Sequence, residues 1–94
     1  MPTMIATGRI THPETLTPDD VTEENEALRD LARAHQVDLA YLHEGGRLIT
    51  IVLTAASPEA AAAVLGSLPL TRTGHLELDV VPVRPLLDAE TDLR

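Results

Sequence analysis

The stretch Ser57–Val83, SPEAAAAVLGSLPLTRTGHLELDVVPV, decides how the chain is read. Ser57 can accept a hydrogen bond from a first-turn amide, Pro58 suits the first helical position, and Glu59 favours the positive end of the helix dipole. The run AAAAVLGSL is small-sided enough to pack closely on a sheet. Pro69, within Ser67-Leu68-Pro69-Leu70, is expected to terminate this helix, with a short polar turn after it. From His75 to Val83 the pattern changes to period two: Leu76, Leu78 and Val80 fall on one face, Glu77, Asp79 and Val81 on the other.

Working back from Ser57, Arg47–Thr54 reads as a strand dense in Ile49, Ile51, Val52 and Leu53. It is preceded by the permissive pair Gly45-Gly46 and by the alternation of Val37, Leu39, Tyr41 and His43, so a hairpin is expected. Thr17-Pro18-Asp19-Asp20 marks another helix start, and the helix is expected to run to about His35. Val21, Ala27, Leu28, Leu31 and Ala32 then lie near one face, with Glu23, Glu26, Arg29, Asp30 and Arg33 mostly opposite. Met4–Ile10 completes the set as a first strand. The order βαββαβ predicts a ferredoxin-like α+β domain over residues 1–87: a four-stranded antiparallel sheet with two helices on one face, followed by a polar tail over 88–94.

Composition limits the function classes. The chain has 94 residues, 15 acidic side chains against 7 arginines, no lysine, and a net charge of -8, which repels phosphate backbones and anionic lipid. With no Phe or Trp and one Tyr it also offers few stacking platforms for bases. Nucleic acid and membrane partners are therefore not expected. The absence of cysteine removes thiolate and disulfide chemistry. Without a signal-like N-terminus or a long apolar run, a soluble cytoplasmic protein is expected. A single domain of this size buries only roughly 60 to 65% of its unfolded surface. The sheet face away from the helices, carrying Val52, Val81 and part of Tyr41, would gain from a cover, so a homodimer is expected, with Arg84-Pro85-Leu86-Leu87 crossing onto the partner.

From about Asp20 to Val83 the chain resembles the muconolactone isomerase-like family. The resemblance rests on Glu24 within E-x-x-x-L-x-x-L (Glu24, Leu28, Leu31), Gly45 in the hairpin, Ser57 before the second helix, and S-L-P-L followed by the alternating strand. It implies a dimeric α/β-barrel and a cofactor-independent isomerase or cyclase that moves a proton on a small, largely apolar lactone or polyketide-like molecule. Where that family tends to carry Trp-Arg on the second strand, this chain has Tyr41-Leu42, and Thr71, Arg72 and Thr73 replace aromatic residues after S-L-P-L. The cation that would hold a carboxylate is thus absent from that strand, which points to a different small substrate or to lost catalysis.

Glu24, Tyr41 and His43 are the first candidates for catalysis. Glu24 would be a proton carrier if it faces the sheet, or one of a solvated cluster with Glu23 and Glu26 if it does not. Tyr41 and His43, two apart on a strand, share a face and would jointly bind a substrate oxygen, or else fill a dimer core and cap a strand end. Glu77 and Asp79 across from His43 or Thr50 would make an acid/base site; outward-facing, they would pair with Arg9 or Arg47. Thr50, Arg72 and His75 complete the candidate substrate contacts, Arg72 and His75 being otherwise residues of a surface turn. The four histidines lack metal-ligand spacing, no phosphate loop occurs, and no cofactor is expected. The alternatives are a non-catalytic dimeric small-ligand binder or accessory protein, and a cofactor-free oxygenase of the dimeric barrel type.

Overall fold

The computed structural model describes residues 2–84 and Leu86. The strands are β1 (Thr3–Ile10), β2 (Leu39–Leu42), β3 (Leu48–Thr54) and β4 (Leu76–Val83); the helices are α1 (Pro18–Arg33), α2 (Pro58–Leu65) and the single turn α3 (Pro69–Arg72). The strands form one antiparallel sheet in the order β2-β3-β1-β4, the ferredoxin-like βαββαβ arrangement expected from the pattern. The anticipated tail over 88–94, and Pro85 and Leu87 of the anticipated crossing segment, lie outside the described residues.

Helix boundaries follow local chemistry. Thr17 and Asp20 form a reciprocal capping box, with the Asp20 N–H donating to Thr17 Oγ1 at 3.2 Å and the Thr17 N–H to Asp20 Oδ2 at 2.9 Å. The bond from the Thr17 N–H favours the ionised carboxyl and holds Asp20 below the usual carboxylate range. The helix ends at Arg33, two residues short of the expected limit, and His35 adopts a left-handed φ of 60° just beyond it. Ser57 caps α2 as anticipated, accepting from the Ala60 N–H at 3.0 Å. Ser57→Ala is expected to cost about 1 kcal/mol, read as a lower urea midpoint at unchanged slope.

Pro69 corrects one expectation. It does not merely stop α2, which has already ended at Leu65; it occupies the first position of α3, after an extended Leu68. Proline lacks the N–H that a first helical residue cannot use, and its fixed φ suits that site. The regular ladder of β2 is also shorter than the Val37–His43 alternation, although the Asp38 N–H still donates to the Val52 carbonyl and the His43 N–H to the Leu48 carbonyl, both at 2.8 Å. The two glycines of the hairpin take φ values of 96° and 73°, where a side chain would be strained.

The core lies between the sheet and the helices. Met4 and Ala6 of β1, Ile51 and Leu53 of β3, Ala61 and Leu65 of α2, and Leu68 are buried there. Ala27, Leu28 and Leu31 of α1 pack against them, whereas Val21 and Ala32, expected on the same stripe, are exposed. The register places Ile5 opposite both Val52 and Val81, and Leu39 opposite Val52, so these four form an apolar row across the other face. Beside it runs Tyr41, Thr50, Thr7 and Asp79. Among the described residues no helix covers this face.

Candidate active site

One buried ionisable side chain stands out. Glu24 falls on the inward stripe of α1, four residues before Leu28 and seven before Leu31, and is only 3% exposed. Its Oε1 accepts the Leu70 N–H from α3 at 3.0 Å, while Oε2 is buried without a partner among the described residues. Burial pushes the carboxyl pKa above its ordinary value of 4.5, and the Leu70 amide offsets part of that effect. Leu70 is the second residue of α3, whose N-cap, Leu68, has no side chain able to cap it. Glu24 therefore supplies from α1 the capping oxygen that α3 lacks.

Glu24 lines a cavity of about 220 Å³ between α1, α3 and the edge strand β2. Leu28, Ala40, Ile49 and Leu70 give it an apolar wall, Val21 and Leu42 stand exposed at its rim, and Asn25 contributes an amide. Tyr41 touches the cavity from the edge strand and is the other titratable residue of its wall. No Arg or His lines it among the described residues. A carboxyl that holds one oxygen fixed and leaves the other unpaired, beside an apolar hollow, can give or take a proton at Oε2.

The remaining sequence candidates are distributed differently. Tyr41, 55% exposed, pairs in register with Thr50 and so projects from the uncovered face of the sheet. His43 joins it there, its Nε2 lying 2.7 Å from Thr50 Oγ1. Glu24 reaches the cavity from the helix side and Tyr41 borders it from the edge strand, whereas His43 is absent from its wall, so the three first candidates do not all converge. Glu77 is paired with Arg9 at 2.7 Å, one of the outward-facing arrangements anticipated for it. Asp79 lies opposite Thr7, which in turn lies opposite Thr50. Two strand spacings separate Asp79 from Thr50, about 10 Å, so the two make no direct pair within one chain. Arg72 is exposed at the end of α3. His75 has both ring nitrogens against threonine hydroxyls, Thr15 at 2.6 Å and Thr73 at 2.7 Å, and is absent from the cavity wall.

Sequence reasoning missed Leu70 and Asn25. The former acts through its backbone amide, which carries no residue-type signal; the latter follows Glu24 directly and was overlooked among the surrounding acids. Among the described residues no group of three or more His, Asp or Glu side chains is arranged to hold a metal ion, and no helix is long and apolar enough to cross a membrane.

These features define a ferredoxin-like α+β domain with one sheet face left uncovered among the described residues and a buried carboxyl beside an apolar cavity. The chain has the fold of muconolactone isomerase: the crystal structure of that enzyme matches with a TM-score of 0.72 at 20% sequence identity, over 96% of this chain and 97% of that one. A protein assigned provisionally as an antibiotic biosynthesis monooxygenase, from Bacteriodes thetaiotaomicron VPI-5482, matches with a TM-score of 0.46 at 18% identity, over 94% and 93% of the two chains. No protein-family model matches the sequence, and no curated protein matches it.

Proposed function

We propose that this chain is a cofactor-independent isomerase, working as a homodimer, that moves a proton within a small, uncharged, largely apolar carbonyl compound. The observation that carries this reading is the state of Glu24: buried, anchored through Oε1, unpaired at Oε2, and set in an apolar wall. In the ionised form Oε2 takes a proton from the carbon next to the substrate carbonyl, and the electron pair moves onto the carbonyl oxygen as an enolate. The protonated carboxyl then returns the proton to the far end of the extended enolate, shifting the double bond with no net change in atoms or electrons. A raised pKa suits both halves of this exchange. Asn25 borders the same cavity, and in this reading its side-chain amide donates to the developing oxyanion. The likeness of fold to an isomerase supports the same class of chemistry.

The substrate is uncharged because the wall contains no cation among the described residues and the chain carries a charge of -8. A carboxylate entering this hollow would lose water without gaining a partner and would face Glu24. The test is proton exchange in deuterated water with small β,γ-unsaturated lactones and ketones, followed by proton NMR. Deuterium entering the positions flanking the migrating double bond is expected, faster with neutral esters than with their free acids. No exchange over the uncatalysed rate with any of them would end this reading.

A non-catalytic small-ligand binder is the second reading, favoured by the structural bond that Glu24 already makes to Leu70. It predicts shifts of Leu28, Ala40 and Ile49 resonances on adding the same compounds, without exchange.

A further inference from the structure

We infer that His75 is the positioning residue of the Glu24 site: its ring and backbone hold Leu70, the one hydrogen-bond partner of the Glu24 carboxyl among the described residues. This inference deepens the proton-transfer reading and rests on it for its catalytic meaning. The structural chain itself is independent of any substrate.

Leu70 is held from both sides. Its N–H donates to Glu24 Oε1, and its carbonyl accepts from the His75 N–H at 2.9 Å and from Thr73 Oγ1 at 3.2 Å. A single turn cannot hold its own geometry, since helix formation repays its ordering only over several turns. The restraint must come from outside α3. Thr73 is fixed by His75 Nδ1 at 2.7 Å, and His75 Nε2 reaches Thr15 Oγ1 at 2.6 Å, in the short 3-10 turn that precedes α1. Thr15 also lies 3.0 Å from the His12 carbonyl. From β1's end, the Thr11 hydroxyl donates to the Gly74 carbonyl at 2.6 Å and the Thr11 N–H to the His75 carbonyl at 2.8 Å.

Counting hydrogens shows that the imidazole decides which contacts form. Each threonine hydroxyl has one hydrogen and faces two acceptors when the ring nitrogen beside it is unprotonated. With a hydrogen on Nδ1, the ring donates to Thr73, which is then free to donate to the Leu70 carbonyl. With Nδ1 bare, Thr73 turns its hydrogen toward the ring and Leu70 loses that bond. Leu70 is therefore held fully only when His75 donates from Nδ1. No other side chain in this bracket can exercise that choice.

The experiment follows the Glu24 δ-carbon by carbon-13 NMR through an acid titration, together with hydrogen exchange of the Leu70 amide, in the full chain without substrate. In His75→Phe the Leu70 amide is expected to lose protection at least fivefold while β1 and β3 keep theirs. The Glu24 midpoint is expected to rise by roughly half a pH unit or more, because a loosened amide stabilises the carboxylate less. Thr73→Val, which removes only the exposed hydroxyl link, should move both readouts in the same direction and serves where His75→Phe fails to fold. His75→Asn, whose amide can donate at the Nδ1 position, should restore part of the shift. A Glu24 midpoint and a Leu70 exchange rate unchanged in Thr73→Val and His75→Phe would overturn the inference. Absence of any turnover would instead overturn the isomerase reading, leaving these two measurements intact.

Discussion

Glu24→Gln is expected to lower the rate of proton exchange into a neutral unsaturated carbonyl substrate by about 10²- to 10⁴-fold, the usual contribution of a positioned acid or base. Gln keeps a carbonyl oxygen for the Leu70 N–H but cannot cycle a proton, so the loss falls on turnover far more than on binding. Glu24→Ala removes the anchor as well and is expected to destabilise the fold, because the Leu70 amide is then left buried without a partner. The pair of variants separates chemistry from architecture: a folded, fully active Glu24→Gln would sink the catalytic assignment. Stability against pH supplies a second signature. The folded-state pKa of Glu24 is raised above its ordinary 4.5 by burial, so its stabilising contribution is complete below 4.5 and is lost as pH rises through the folded value. The urea stability of wild type minus that of Glu24→Gln should therefore fall as pH increases through this window. A difference that stays flat with pH would mean that the carboxyl is not desolvated as its burial implies.

The sheet was legible because alternation is a direct record of its two faces. Ile51 and Leu53 turn inward, Val52 turns outward, and the same parity assigns Leu78 and Val81 on β4. Glu24 was legible as a position, since its spacing from Leu28 and Leu31 places it on the inward stripe, although its acidic neighbours equally described a solvated cluster. What converts that position into a site is the amide of Leu70. It was hidden because Pro69 carries two meanings: a proline both ends one helix and opens the next, and only the extended Leu68 before it selects the second. Tyr41 and His43 illustrate a different limit. Their parity showed correctly that they share a face, but parity does not say on which side of the sheet a cavity forms, and the described cavity lies mainly on the other.

Val52→Asp is expected to convert the proposed homodimer into monomers, raising its dissociation constant by at least about 10²-fold, as judged from the cost of burying an unpaired charge. Val52 is central to the uncovered face, beside Ile5 and Leu39 in register, with Val81 one strand further. A lone chain leaves this row in water, where an aspartate on an outward strand position costs little. The same residue in a face-to-face pair would lose its hydration with no cation in the apolar row to receive it. Arg9 on this face is already paired with Glu77, and the His43 ring is bonded to the Thr50 hydroxyl, so the aspartate has no convenient partner to recruit. Sedimentation over a concentration series distinguishes the outcomes, and circular dichroism checks that the fold is retained. Wild type that sediments as a monomer at tens of micromolar, or a variant that dimerises equally well, would remove the pairing. The consequence for the site is also measurable: Glu24 and its cavity lie within one chain on the helix side, so ligand-induced shifts of Ala40 and Ile49 should survive in the monomeric variant, whereas their loss would mean that the partner completes the pocket.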